Sequence, residues 1–200
     1  MKVVPEISLS LRNISIWANL QKGFFPFRST NLAIFNLLES YNKMILNDIS
    51  CDFVSGTSTA ILGPSGSGKT TLLNFIASRI KSSNLSVKGD LQVNRRSVES
   101  IKQFKHRFSY VMQDDVLFED LTVYEQLYST AQLAGIDKRE ETVKEVMTWL
   151  NLHKCKNTKI GGAFNKGLSG GEKKRVSIAT EMLTNPSVIF LDEPTTGLDS

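Results

Sequence analysis

The segment GPSGSGKT at residues 63–70 constrains this chain more than any other feature. It matches the pattern G-x-x-x-x-G-K-[ST] at every fixed position. The preceding residues 57–62 are rich in β-formers and predict a short buried strand. From Lys69 onward a helix is predicted, with an apolar stripe of Leu72, Leu73, Phe75, Ile76 and Ile80. A strand, a glycine-rich loop and a helix in this order suit a bound phosphate.

The chemistry of this phosphate loop assigns roles to its residues. Gly66 and Gly68 allow backbone N–H groups to turn inward toward phosphate oxygens. Lys69 is expected to reach the β- and γ-phosphates of a nucleoside triphosphate, and the Thr70 hydroxyl to bind Mg²⁺. The predicted phosphate-binding residues are Gly63, Pro64, Ser65, Gly66, Ser67, Gly68, Lys69, Thr70 and Thr71. The alternative is a chance match in a Gly/Ser-rich loop.

Composition favours an ordinary globular chain. Apolar residues make up 40% and charged residues 22% of the 200 residues, and the net charge is +4. Cys51 and Cys155 have no spacing typical of a disulfide framework or a zinc site, so a reduced, cytosolic setting is expected. No apolar run reaches the length of a membrane span, and no signal peptide is evident.

The first part of the chain predicts strands over residues 6–17, 44–53 and 89–94. Residues 23–28 (GFFPFR) have two interpretations, a nucleobase-stacking loop or a locally packed loop. Scattered basic residues follow at Arg95, Arg96, Lys102, Lys105 and Arg107. They lack aromatic interleaving, so no nucleic-acid partner is expected.

Residues 107–112 predict a strand that ends at Gln113. Because ligands of open α/β sheets bind at the carboxyl ends of strands, Gln113 is a candidate contact for Mg²⁺ or water. Two helices are predicted next, the first starting at the capping box of residues 122–125 and the second at residues 137–140. They interrupt the alternation of strands and helices and indicate an inserted helical subdomain.

The segment LSGGE at residues 168–172 begins another predicted helix. Ser169 and Glu172 have the spacing of a capping box, whereas Gly170 and Gly171 weaken the first turn and leave its N–H groups accessible. This is a second possible anion site at a helix N-terminus. The next three residues are expected to form a solvated face: Lys173, Lys174 and Arg175.

The last predicted strand covers residues 187–191 and ends at two carboxylates. Asp192 is placed to hold the water shell of Mg²⁺ beside Thr70. Glu193 is placed to accept a proton from an attacking water molecule.

The order of these motifs, GPSGSGKT, Gln113, LSGGE, VIFLDEP and GLDS, resembles the nucleotide-binding domain of ATP-binding cassette (ABC) proteins. The segments LTVYEQL and FLDEPTTGLDS are most similar in sequence to the G subfamily, which includes white-type half-transporters and fungal drug-resistance pumps. The resemblance implies an α/β fold with a P-loop NTPase core, whose parallel sheet is flanked by helices. It divides the chain into an antiparallel β-subdomain (1–56), P-loop core (57–112), helical subdomain (113–167) and a final segment (168–200).

The resemblance also implies an activity. ATP and Mg²⁺ would be the cofactors, with the metal held by Thr70, Gln113 and Asp192, and Glu193 would be the catalytic base assisted by Gln113. Ser169, Gly170 and Gly171 would contact the γ-phosphate of ATP held by a second ABC nucleotide-binding domain, identical or different. A C-terminal transmembrane domain would export a lipophilic substrate, with the nucleotide-binding domain on the cytoplasmic side of the membrane.

Two departures from the family pattern qualify these expectations. The usual adenine-stacking position falls near Ala18, and Trp17 lies one residue away, on the opposite face of a strand. The sequence ends at Ser200, before the histidine that contacts the γ-phosphate in the family and before its strand. We therefore expect the C-terminal part of the core to be missing, and residues 1–200 alone neither to fold stably nor to hydrolyse ATP at a useful rate. The alternatives are a soluble ABC-type ATPase not involved in transport, and a catalytically inactive fragment.

Overall fold

The computed structural model describes residues 5–20, 41–80, 85–98, 101–162 and 165–195. The chain divides into two compact units, one formed by Ile7–Ile101 and the other by Met1–Glu6 with Lys102–Ser200. The first contains an antiparallel sheet, and the second contains a parallel pair of strands together with most of the helices. The predicted mixed α/β class is therefore confirmed. The four-part division of the chain stays a prediction.

The unit Ile7–Ile101 contains a four-stranded sheet with the strand order β2-β1-β3-β4. Its strands are β1 (Leu9–Leu20), β2 (Tyr41–Phe53), β3 (Leu85–Val93) and β4 (Arg96–Ser97). The first three match the predicted strands, although β2 and β3 begin earlier than predicted. The loop at residues 23–28 lies outside the described residues.

The apolar pattern of β1 changes parity in the middle of the strand, and a β-bulge explains the change. Leu9 and Leu11 are buried, and so are Ile14 and Ile16, so the buried positions switch from odd to even numbers. The register against β2 shifts between Leu11 and Ile14, and Asn13 between them has a φ of 52°. The extra residue lets both halves of β1 present their apolar side chains to the core.

The helix after the phosphate loop is α1 (Lys69–Ile76), with Leu72 and Ile76 buried. It is shorter than the predicted stripe, which extends to Ile80. Ser78 adopts a left-handed backbone with a φ of 53°, and its N–H donates to the Phe75 carbonyl at 3.0 Å. This tight turn ends the helix before Ile80.

The strand predicted over residues 57–62 does not form, so this prediction is wrong. Residues 57–64 carry neither helix nor strand, and Leu62 is 90% exposed. A strand needs neighbours that pair with its backbone groups. No described strand pairs with this segment.

The second unit contains the parallel strands β5 (Phe108–Val111) and β6 (Val188–Leu191). They pair in register from Phe108 opposite Val188 to Val111 opposite Leu191. The helices are α2 (Val123–Leu133), α3 (Arg139–Trp149) and α4 (Gly170–Met182), with 3₁₀ turns at Ile101–Arg107 and His153–Cys155. The strands predicted over residues 107–112 and 187–191 are thus confirmed to within two residues at each end.

The three helices α2, α3 and α4 share one apolar core. Its buried members are Val123, Leu127, Ala131, Val143, Val146, Met147, Leu152, Cys155, Ile160, Leu168, Val176, Ala179 and Leu183. The helix α3 supplies Val143, Val146 and Met147, and Leu150 packs against this core partly buried. Within the described ranges, no helix combines the length and the apolar character that crossing a membrane requires.

The N-termini of α2 and α3 test two predictions about helix capping. At α2, the Thr122 hydroxyl accepts from the Glu125 N–H at 3.2 Å, and the Glu125 carboxylate accepts from the Thr122 N–H at 2.8 Å. This reciprocal capping box confirms the prediction. At α3 the predicted start at Asp137 is wrong, because Lys138 is the N-cap residue and makes no side-chain cap hydrogen bond. Packing of its buried face supports α3 instead.

Candidate functional site

The phosphate loop has a shape that depends on its glycines. Gly66 and Gly68 have φ values of 78° and 94°, in the left-handed region. Gly68 is the N-cap residue of α1, and a Cβ atom there would lie 2.7 Å from Leu46 Cδ2 of β2. The loop is otherwise open to solvent, since residues 62–67 are all exposed. A small residue at position 68 thus lets the loop lie against the sheet while its outer side stays accessible.

Lys69 begins α1 and folds back over the loop. Its Nζ atom donates to the Gly63 carbonyl at 3.0 Å and to the Pro64 carbonyl at 2.9 Å. The Ser67 N–H donates to the Pro64 carbonyl at 3.3 Å, which closes the turn. An ammonium group therefore lies beside the loop where the sequence predicts phosphate. Thr70 and Thr71 follow in the first turn of α1.

In the second unit, Gln113 and Asp192 leave the same edge of the parallel pair. Val111 and Leu191 are in register at the ends of β5 and β6, and the Asp192 N–H donates to the Val111 carbonyl at 3.1 Å. Gln113 is exposed, two residues after β5 ends. This placement agrees with the expectation that both side chains lie at the carboxyl ends of parallel strands.

Asp192 is buried, and its side chain is hydrogen-bonded to β5. Its side chain belongs to a residue that is only 6% exposed, and its Oδ2 atom accepts a hydrogen bond from the Tyr110 hydroxyl at 3.0 Å. The next residue, Glu193, is half-buried and has a left-handed backbone with a φ of 45°. A glutamate in this region is uncommon and such strain is concentrated at functional sites.

The start of α4 combines a cap with accessible backbone. The Ser169 hydroxyl accepts from the Glu172 N–H at 3.3 Å, and the Glu172 carboxylate accepts from the Ser169 N–H at 2.9 Å. The Ser169 hydroxyl also donates to the Glu172 carboxylate at 2.9 Å. The two bonds donated to this carboxylate, the backbone one first, lower the pKa of Glu172. Ser169 and Gly170 are exposed and Gly171 is half-buried, so the first turn of α4 is open to a ligand.

The basic residues that follow the LSGGE segment are more buried than the sequence predicts. Lys174 is 5% exposed, so the expected solvated face of Lys173, Lys174 and Arg175 is wrong at its centre. The Lys174 ammonium pairs with Asp115 at 2.8 Å, and that of Lys173 donates to the Gly161 carbonyl at 2.8 Å. The helix turns these neighbouring side chains toward different loops. The burial of Lys174 could not be predicted from sequence periodicity, because the charged and apolar residues of α4 do not separate onto two distinct faces.

Lys174, Asp115 and Tyr110 are functional candidates that the sequence analysis did not select. The sequence indicates these residues only by their position, since each lies within a few residues of Gln113, Asp192 or the LSGGE segment. Trp17 and Ala18 are both half-buried on β1, with Met44 and Lys43 as their partners on β2. Trp17 stays a candidate for stacking on adenine, with backbone and apolar contacts to the base as the alternative.

The donor groups of the predicted metal site suit Mg²⁺. Thr70, Gln113 and Asp192 offer a hydroxyl, an amide oxygen and a carboxylate, which are the hard oxygen donors that Mg²⁺ prefers. Across the described ranges, no group of three or more His, Cys, Asp or Glu side chains could hold a metal ion by itself. Mg²⁺ bound by one carboxylate, water and substrate phosphates needs no such cluster.

Comparison with known proteins decides the family. A family model described as "ABC transporter" matches residues 46–196. The chain belongs to the ABC transporter family. This membership implies that it binds ATP, and it agrees with the motif order of the sequence.

Curated relatives place the chain with the G family of ABC transporters. It is 44% identical over 184 residues to ABC transporter G family member 22 of Arabidopsis thaliana, covering 88% of this chain and 24% of that protein. G family member 20 of the same plant is 39% identical over 207 residues, with coverages of 98% and 28%. G family member 12 of Dictyostelium discoideum is 44% identical over 165 residues, with coverages of 78% and 25%. The chain thus spans about a quarter of the length of these relatives.

A solved structure supports the fold assignment. The chain is similar to a bacterial Atm1-family ABC exporter with ATP bound, with a TM-score of 0.64 and 25% sequence identity. The similarity covers 99% of this ABC transporter chain and 31% of the exporter chain.

Proposed function

We propose that this chain binds and hydrolyses ATP as the nucleotide-binding domain of a G-family-type transporter, and that hydrolysis powers export of a lipophilic substrate. The phosphate loop is the observation that carries the proposal. Its left-handed glycines, its solvent-exposed outer side and the Lys69 ammonium provide donors and positive charge for a triphosphate.

In this proposal, the backbone N–H groups of residues 63–71 and the Lys69 ammonium bind the phosphates. Lys69 exchanges its hydrogen bonds to the Gly63 and Pro64 carbonyls for phosphate oxygens. Phosphate oxygens carry negative charge whereas the carbonyl oxygens are neutral, so Coulomb attraction to the ammonium favours this exchange. Thr70, Gln113 and Asp192 would hold Mg²⁺, which would supply positive charge to offset that of the phosphates.

Glu193 takes the role of general base. Glu193 directly follows the buried Asp192, the predicted metal ligand, in the sequence. Glu193 itself is only half-buried, so it remains accessible to water. It accepts a proton from the attacking water molecule, and Gln113 helps to orient that water.

The open first turn of α4 points to a second nucleotide-binding domain as the partner. Ser169, Gly170 and Gly171 contact the γ-phosphate of ATP held by that domain, which is either identical or different. Helix N-termini favour anions, and Gly170 and Gly171 place no side chain in the way. A transmembrane domain elsewhere in the complete protein carries the substrate, and the nucleotide-binding domain lies on the cytoplasmic side.

The test is ATP binding to the full-length protein by calorimetric titration. Lys69→Ala is expected to weaken ATP affinity about tenfold or more, since it removes a cation from the phosphates. Lys144→Ala is the matched control, because Lys144 is an exposed lysine on α3 far in sequence from the motifs. Equal ATP affinity of the two variants, or no ATP binding by the parent, contradicts the proposal.

A second measurement separates transport from a soluble ATPase. The native full-length protein is expected to stay in the membrane pellet after washes with high salt and with carbonate. Release by either wash counts against a transporter and favours the soluble alternative.

A further inference from the structure

Lys174 is a buried cation on α4, in the turn that follows the LSGGE segment. It is 5% exposed, and three oxygen atoms lie close to its Nζ atom. Asp115 Oδ1 lies at 2.8 Å, the Gln113 carbonyl at 2.9 Å and the Met112 carbonyl at 3.3 Å. The ammonium group thus donates two hydrogen bonds to main-chain carbonyls and forms an ion pair with Asp115, whose Oδ1 atom receives no hydrogen bond.

Two of these acceptors belong to the main chain of the segment that carries Gln113. A neutral side chain in this place would leave the Asp115 carboxylate, whose side chain is 19% exposed, without its cation. Burying a charge is costly unless it is paired and hydrogen-bonded. The ion pair therefore restricts how far residues 112–115 move from α4, rather than adding much net stability.

The same segment is held again at its far end. Gln126 of α2 is 4% exposed, and its Oε1 atom accepts from the Phe118 N–H at 3.2 Å. Between the two anchors the side chains of Val116 and Phe118 are 73% and 69% exposed. Residues 112–118 thus form a loop in which Leu117 packs against the helical core, while polar anchors hold each end.

We infer that Lys174 is a positioning residue for Gln113. Its ammonium fixes the Gln113 carbonyl to α4, and through the backbone it sets where the Gln113 amide lies at the edge of β5. Because the LSGGE segment begins the same helix, Lys174 also links Gln113 to Ser169 and Gly171. The inference rests on the proposed function, in which Gln113 contacts Mg²⁺ or water and the start of α4 contacts the partner's ATP.

Two variants separate positioning from structural support. Lys174→Met removes the anchor and leaves Asp115 unpaired in a mostly buried site. Adding Asp115→Asn to Lys174→Met removes that unpaired charge, so the double variant is expected to recover most of the lost stability. It still lacks the cation that holds the Gln113 carbonyl. Lys144→Met on the exposed side of α3 is the control.

The first readout needs no nucleotide. Hydrogen exchange of the peptide covering residues 112–118, measured on the full-length protein, is expected to accelerate in Lys174→Met and to stay accelerated in the double variant. Lys174→Arg is expected to restore slow exchange in part, since it keeps a buried cation. Parent-like exchange in the double variant overturns the inference, because Asp115 alone would then account for the effect of Lys174.

The second readout is ATP turnover. In both Lys174→Met and the double variant, kcat is expected to fall roughly 10- to 100-fold, while the KM for ATP changes by less than about threefold. Full turnover in the double variant overturns the role for Gln113. If the parent binds no ATP and has no turnover, the proposed function fails instead, and the exchange readout still decides whether Lys174 holds the loop.

Discussion

The hydroxyl of Tyr110 donates a hydrogen bond of 3.0 Å to the Oδ2 atom of Asp192, between the neighbouring strands β5 and β6. The Tyr110 ring also packs near Phe190, with ring centroids 6.2 Å apart. The strand pair thus fixes the direction of the carboxylate that is proposed to support Mg²⁺. An oriented carboxylate loses less entropy when a metal ion binds.

We predict that Tyr110→Phe lowers ATP turnover several-fold and raises the Mg²⁺ concentration needed for half-maximal activity. The ring and its packing remain, so the free energy of unfolding should fall by only about 1 kcal/mol, the usual value for one hydrogen bond. Turnover measured across a Mg²⁺ titration tests this. Tyr128→Phe is the control, since Tyr128 stacks on Tyr124 in α2, away from the candidate metal ligands in sequence. Identical Mg²⁺ dependence in Tyr110→Phe and the parent would contradict the role of this bond.

The two capping boxes allow a second prediction. Ser169 at α4 and Thr122 at α2 make the same reciprocal bonds, to Glu172 and Glu125. Ser169→Ala and Thr122→Ala should therefore each lower the free energy of unfolding by about 1 kcal/mol. Only Ser169→Ala should also reduce ATP turnover, because only that cap is proposed to contact nucleotide.

Urea unfolding and turnover of the two variants, measured side by side, test this difference. Equal losses of turnover would mean that Ser169 acts only as a helix cap. An unchanged turnover in both would remove Ser169 from the proposed site.

The capping box of α4 also predicts a pH dependence of stability. Hydrogen bonds from Ser169 lower the pKa of Glu172 below its ordinary value of 4.5. A carboxyl group with a lowered pKa in the folded state stabilises the fold at higher pH, and this contribution is lost as pH falls through the folded-state pKa. Glu172→Gln should thus be less stable than the parent at pH 7, and the difference should shrink as pH falls below about 4.5.

Urea unfolding of the parent and Glu172→Gln over this pH range measures the effect. Glu125→Gln offers a parallel case, because hydrogen bonds from Thr122 lower the pKa of Glu125 in the same way. A stability difference that grows as pH falls would contradict the sign of this prediction.

Local chemistry in the sequence predicted the features that depend on neighbouring residues. The capping boxes at Thr122 and Ser169 and the glycine positions of the phosphate loop follow from bonds within a few residues. The strands β5 and β6 followed from short apolar runs. These features needed no knowledge of distant contacts.

Two of the features that failed depend on distant partners. Residues 57–62 have the composition of a strand, but a strand forms only where another strand pairs with it. Lys174 belongs to a charged run, yet the packing of α4 places it against the loop after β5 and buries it. Neither outcome could be derived from the pattern of residues around the position itself.

The most direct test of the central claim is ATP turnover by the full-length protein carrying Glu193→Gln. Replacing the proposed general base should lower turnover by roughly 10²- to 10⁴-fold while ATP still binds, so that ATP-bound pairs of domains accumulate. Glu145→Gln, which changes an exposed carboxylate on α3, should keep the parent rate. Turnover of Glu193→Gln at the parent rate would show that Glu193 is not the base and would contradict the account.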